Sequence, residues 1–210
     1  MDESVLLEAW RNGDRLAGDR LFRRHFPAVQ RFFANKISNA ATVEDLVQRT
    51  FLKCLEKPAG FAGLSTFRAY LLGIARFVLF GFFRESRRHS VLTELGSISV
   101  QDMGHGLSTI VGQNEEHQLL LQALRRIPLE QQVALELYYF EELAAEDAAS
   151  VLEIPVGTMR SRVRLGKDAL RKALAQLAPT TSLVHASDDD LAKWLRDIRR
   201  CLPKEPESAD

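Results

Sequence analysis

Apolar positions recur at helical spacing through most of the chain, and no stretch alternates as a half-buried strand would. Val5, Leu6, Ala9 and Trp10 make a first short stripe, which Asn12-Gly13 stops. Leu16, Leu21, Phe22, Phe26, Val29, Phe32 and Phe33 begin a second. Within it Pro27 predicts a helix start or a kink, because proline lacks the backbone donor. Thr42 with Asp45 three residues on predicts an N-cap. From there Val43, Leu46, Val47, Thr50, Phe51, Cys54 and Leu55 fall on one face of a helix of about four turns, ended by Pro58 and Gly60. Pro58 to Ser65 reads as a loop. Phe67, Tyr70, Leu71, Ile74, Ala75, Val78 and Leu79 then mark a strongly apolar helix finishing among Arg84, Arg87 and Arg88.

Residues 91 to 116 break this pattern. They hold Gly96, Gly104, Gly106, Gly112 and several serines, with Leu92, Leu95 and Val100 too scattered for a helix, and read as a linker. Helical spacing resumes over Leu119 to Ile127 and Leu129 to Phe140. Ala148, Ala149, Val151 and Leu152 follow on an acidic, small-residue helix that Pro155 and Gly157 interrupt. The next period buries Val156, Met159, Val163 and Leu170 and leaves Thr158, Arg160, Ser161, Arg162, Arg164 and Lys167 on the other sides. Helix, short turn and basic helix form a helix-turn-helix, whose second helix enters the DNA major groove. Arginine forks onto guanine edges and phosphates, and serine and threonine reach either. A solvated basic face on an ordinary helical hairpin is the competing reading. The run Pro-Val-Gly-Thr-x-Arg-Ser-Arg, at this distance from an acidic helix, favours the helix-turn-helix.

The tail from Pro179 carries one more stripe. Ser187 before Asp188, Asp189 and Asp190 predicts a capped, acidic helix start, and Leu191, Trp194, Leu195, Ile198 and Leu202 line one face until Pro203. A lone amphipathic helix of this length is marginal in water. It packs back on the chain or docks on a partner.

The expected fold is therefore all-α: two small helical domains over 1–90 and 117–178, joined by a flexible linker over 91–116, with a helix-turn-helix in the second. A C-terminal extension over 179–210 adds one amphipathic helix. The 210 residues are 46% hydrophobic, enough for cores in both domains. A formal net charge of zero conceals segregation: +6 over residues 1–90, −4 over 91–116, −5 over 117–154 and +5 over 155–178. Two basic surfaces separated by acidic ones point to a polyanion touched at two places.

Cys54 and Cys201 lie far apart and lack the spacing of a zinc site or a disulfide framework; each reads as a small buried hydrophobe. His25, His89, His105, His117 and His185 have no metal spacing, and neither a phosphate loop nor a nucleophile motif occurs. No enzyme activity and no cofactor are expected. Asp2 and Glu3 stand where a signal peptide would be positive, and no apolar run reaches 18 residues. A cytoplasmic protein without membrane insertion is the expectation.

Three blocks in order resemble the extracytoplasmic-function class of sigma factors of bacterial RNA polymerase. Glu44-Asp45-Leu46-Val47-Gln48-Arg49-Thr50-Phe51 is similar to the helix that grips the polymerase clamp. Phe67-Arg68-Ala69-Tyr70-Leu71-Leu72-Gly73-Ile74-Ala75-Arg76 is similar to the helix that handles the −10 promoter element. Ile154-Pro155-Val156-Gly157-Thr158-Met159-Arg160-Ser161-Arg162 is similar to the helix that reads the −35 element.

The resemblance implies a promoter-specificity subunit with core RNA polymerase and promoter DNA as partners, and an anti-sigma protein as a possible third. It implies polymerase contacts at Asp45, Leu46, Gln48 and Arg49. It implies −10 contacts at Phe61, Ser65, Arg76, Phe77 and Arg84, and −35 contacts at Thr158, Arg160, Ser161, Arg162, Arg164 and Lys167. Arginines there hold phosphates while aromatic faces stack unpaired bases, at about 1–3 kcal/mol per base. The chain departs from the family's usual residues at Arg49, Tyr70, Phe77 and Gly81. A free-standing helix-turn-helix regulator, binding DNA without polymerase, is the alternative.

Overall fold

The computed structural model describes residues 2–56, 61, 65–86, 99–100 and 115–201, apart from the side chains of Ser86, Leu183 and 199–201. The described residues are helical, with no strand; a single bridge pairs Ser99 with Pro128. Expectations for the rest of the Pro58–Ser65 loop, for Arg87, Arg88, Leu92 and Leu95, for Leu202 and Pro203, and for the Cys201 side chain lie outside the described residues.

The first domain is built from α1 (Glu3–Arg11), α2 (Arg15–Ala34), α3 (Ala40–Glu56) and α4 (Phe67–Ser86). Gly13, at φ +94°, makes the sharp turn between α1 and α2, and Asp14 caps α2 through Oδ1, which accepts from the amides of Leu16 and Ala17. Gly18 lets the two helices touch: a Cβ there would lie 2.5 Å from Trp10 Cδ1. Trp10, Phe22, Phe61 and Phe67 meet edge-on or stacked, with centroids 5.4 to 6.5 Å apart, the geometry aromatic pairs prefer.

Two details differ from the sequence expectation. Pro27 does not start a helix; it is buried inside the continuous α2. The cap of α3 is Asn39 rather than Thr42. Asn39 Oδ1 accepts from the Thr42 amide at 2.9 Å, and the helix already begins at Ala40. Small alanines extend a helix without adding to its apolar stripe.

The second domain comprises α5 (Glu115–Leu124), α6 (Leu129–Leu135), a π-helical turn over Glu136–Phe140, α7 (Ala145–Leu152) and α8 (Val156–Leu177). α6 and α8 approach closely because Gly166 has no side chain: a Cβ there would meet Leu135 at 3.1 Å. From the linker, Ser99 pairs with Pro128 and Val100 is fully buried, so the linker is anchored to this domain at that point.

The tail helix α9 (Asp188–Cys201) packs back on the chain, as one of the two sequence readings had it. Ser187 Oγ accepts from the Asp190 amide at 3.1 Å, the anticipated cap. Leu191, Ala192, Leu195 and Ile198 are buried against the π-helical turn and α5. Each large side chain so covered stabilises by about 1.5–3 kcal/mol, an upper bound.

The two domains share a contact of their own. α7 lies on α4, and buried charges pair beside it. Lys36 Nζ is bonded to Glu136, and Glu141 receives both Arg31, at 3.4 Å, and Arg68. Arg125 Nε donates to the Asn35 carbonyl at 2.9 Å. Among the described residues no helix is long and apolar enough to cross a membrane.

Candidate nucleic-acid interface

The helix-turn-helix is set by its turn. α7 ends at Glu153, whose φ of 53° and ψ of 44° place it in the left-handed region. The amides of Glu153 and Ile154 then donate back to Ser150 and Ala149 at 3.1 Å each, closing the helix end. Pro155 is the N-cap of α8, extended at φ −58° and ψ 146°. Gly157 therefore lies inside the first turn of α8, and the turn itself is Glu153 to Pro155.

No side chain caps α8, so its leading amides point outward at the positive end of the helix dipole, a ready place for a phosphate. Inward, α8 buries Met159, Val163, Gly166, Leu170, Ala173 and Leu174. Outward it exposes Thr158, Arg160, Ser161 and Arg164. Arg160 is 70% exposed and only 3.4 Å from Glu146, itself exposed; such a pair contributes little.

The remaining two predicted −35 residues are placed differently. Arg162 is 20% exposed and bonded to Glu130 of α6. Lys167 is 14% exposed and bonded to Asp188 of α9. Tyr138, Tyr139, Glu146, Arg160, Arg164 and Lys167 line one shallow groove along this face.

In the first domain, Asp45, Gln48 and Arg49 stand on the exposed face of α3, with Asp45 and Arg49 paired at 2.9 Å. Leu46 is fully buried and is corrected to a core residue: it lies on the apolar stripe of its helix. Phe61 is likewise a core ring, 7% exposed, with Phe67 and Tyr70 at 5.5 Å and the Arg11 guanidinium 5.3 Å from its centroid. It offers no open face to a base.

Phe77 is 66% exposed, with the Lys53 ammonium 5.5 Å from its ring. Ser65 and Phe77 share a cleft with Lys53, Tyr70 and Gly73, whose other wall is Ser150 and Val151 of α7 and the following Glu153. Arg76 lies 3.9 Å from Glu153 and 5.2 Å from the Phe80 ring. Arg84 is exposed in the last turn of α4, two turns beyond Phe77.

Two family models match in this order along the chain: Sigma-70 region 2 over residues 21–89, and Sigma-70, region 4, over residues 117–170. Together they span more than half of it, and the second takes in α7, the turn and α8 as far as Leu170. The chain belongs to the sigma-70 family, in its extracytoplasmic-function class. It is 29% identical over 190 residues to the RNA polymerase sigma-H factor of Pseudomonas aeruginosa, covering 83% of this chain and 95% of that one. It is 28% identical over 173 residues to the sigma factor CarQ of Myxococcus xanthus, with 81% and 97% covered.

The sigma factor RpoE of Bartonella quintana, solved in complex with the anti-sigma factor NepR, matches with a TM-score of 0.57 at 25% identity, over 74% of this chain and 95% of that chain. CnrH, solved with the cytosolic domain of CnrY, shares the fold at a TM-score of 0.61 and 18% identity, with 85% and 99% covered. This sigma factor carries α9 beyond the stretch that either family model spans.

Several residues that shape this sigma factor's surfaces escaped the sequence reading. Lys53 and Tyr70 line the Ser65–Phe77 cleft, Glu130 holds Arg162, and Arg171 shares Asp188 with Lys167. A signal existed for Arg162: it lies three residues after Met159 and four before Gly166, both buried, which turns it toward the domain interior.

Proposed function

We propose that this RNA polymerase sigma factor divides its work between its two domains. Residues 1–90 bind the core polymerase clamp and open the −10 region, the 91–116 linker threads toward the polymerase interior, and residues 117–178 read the −35 element. It is a promoter-specificity subunit without chemistry of its own, acting in the cytoplasm on core polymerase and promoter DNA. The free-standing regulator is not favoured.

What carries this reading is the match to regions 2 and 4 in order, coupled to an uncapped α8 that presents Thr158, Arg160, Ser161 and Arg164 to solvent. Asp45, Gln48 and Arg49 are the polymerase contacts on α3. Ser65, Phe77, Arg76 and Arg84 serve the −10 strand. Because α7 lines one wall of the cleft that holds Ser65 and Phe77, parting of the two domains would widen the way in for a −10 base. The likeness to RpoE, solved with NepR, supports an anti-sigma protein as a further partner.

Run-off transcription with core polymerase and this protein, on a pool of upstream fragments from its own genome, tests the proposal. Promoter-specific transcripts are expected. Absence of both transcripts and core binding overturns it.

A further inference from the structure

Arg160, Arg164, Lys167 and Arg171 follow one another on α8 at intervals of four, three and four residues. That spacing places them on one edge of the helix, in a row about 16 Å long at 1.5 Å per residue. The row is divided. Arg160 and Arg164 are 70% and 69% exposed, whereas Lys167 and Arg171 are 14% and 24% exposed and share one carboxylate.

That carboxylate is Asp188, the first residue of α9. Lys167 Nζ donates to its Oδ2 and Arg171 to its Oδ1, while Arg171 also reaches the Ala186 carbonyl at 3.5 Å. Arg171 meets Asp168 at 3.8 Å as well. Asp188 itself is 60% exposed, so it lies on the surface of the domain rather than in its core.

We infer that Lys167 and Arg171 form a phosphate-binding site on the second half of α8, and that α9 occupies it in cis by placing the Asp188 carboxylate where a DNA backbone phosphate would bind. The inference rests on the reading of α8 as the −35 helix. An ionised carboxylate and a phosphodiester both present two charged oxygens to the same donors. The bonds from Lys167 and then Arg171 hold the Asp188 carboxyl below its ordinary range, so it is charged wherever DNA binding is measured. The apolar stripe of α9 seats this stand-in: Leu191, Leu195 and Ile198 are fully buried, and the Arg196 guanidinium sits 5.7 Å from the centroid of the Tyr139 ring. Tyr139 and Lys167 line the same groove as Arg160 and Arg164, so the occupied and open halves of the row are continuous.

The test uses the full chain and a fluorescently labelled duplex carrying the −35 element of a promoter found by run-off transcription. Binding is followed by anisotropy across a salt series for wild type, Asp188→Asn and Arg160→Ala. Asp188→Asn is expected to bind more tightly at low salt. Its slope of log affinity against log salt should steepen by up to about 1.8, two added phosphate contacts at about 0.9 each. Adding Lys167→Gln and Arg171→Gln to that variant should return the slope to the wild-type value.

If Asp188→Asn keeps the wild-type affinity and slope while Arg160→Ala weakens binding, α8 reads DNA and the occupied site is refuted. If Arg160→Ala leaves binding unchanged too, the reading of α8 fails, and the inference with it.

Discussion

Lys36, in the turn after α2, and Glu136, in the π-helical turn, pair across 100 positions of sequence and across the two domains, with side chains 0% and 2% exposed. The ammonium also donates to the Phe32 carbonyl at 2.7 Å and lies 4.0 Å from the Phe32 ring centroid. Gln132 donates to the other Glu136 oxygen at 2.8 Å. Burial presses the Lys36 pKa down, and Glu136 opposes that shift.

Removing one partner leaves a buried charge uncompensated, so Lys36→Met should cost about 3–5 kcal/mol, while Lys36→Met with Glu136→Leu should recover most of that loss. Urea denaturation of the two single variants and the double variant measures the coupling. Equal losses in single and double variants would show that the pair is not the source.

Gly73 marks the place where α4 and α7 touch. A Cβ there would lie 4.0 Å from the backbone of Val151, and any longer side chain would run into it. Gly73→Leu should part the two domains and raise the radius of gyration in small-angle scattering, without loss of helical circular dichroism. Faster amide exchange on both facing helices is expected alongside.

His25 gives the first domain a pH dependence of definite sign. It is buried, with Glu3 Oε2 at 3.1 Å and the Phe67 ring at 5.4 Å. Burial lowers its pKa from the ordinary 6.5; Glu3 opposes this, and Arg68 and Arg24 add to it. The folded state therefore binds the proton less readily than the unfolded one. Its contribution is fully present above about pH 6.5 and is lost as pH falls through the folded value. Denaturation midpoints should fall between about pH 7.5 and about pH 5.5, and His25→Leu should flatten that decline.

Gly18→Ala would ordinarily stabilise a helix interior by about 0.5–1 kcal/mol. Here the new methyl meets the Trp10 indole at 2.5 Å, and overpacking of this kind costs about 1–3 kcal/mol. A lowered thermal midpoint is expected; a raised one would mean that Trp10 turns aside freely.

The helices were legible because their apolar stripes are long. α3, α4 and α8 follow from spacing, and the start of α9 from its Ser187 cap. Where resemblance and periodicity disagreed about a side chain, as at Leu46 on its apolar stripe, periodicity gave the direction the structure shows. Leu46, from the first block, and Phe61, from the loop before the second, carry partner roles only by resemblance, and each points into the core.

The buried charges were missed for a related reason. Lys36 continues the stripe of Val29, Phe32 and Phe33, and Glu136 continues that of Leu129 and Val133. A charge lying on an apolar stripe was the available signal. Its meaning depended on a partner 100 positions away, which no local pattern contains.

The seam between the domains joins the apolar contact of α4 with α7 to a set of paired charges, Arg31, Lys36, Arg68, Glu136 and Glu141. The charged groups are readily hydrated once uncovered, so on their side of the seam separation would swap each internal partner for water. Were the domains to part, that side of the seam would present charge, not a patch on which other chains aggregate. Charge at the seam thereby softens what any parting of the domains would add to the exposed apolar surface.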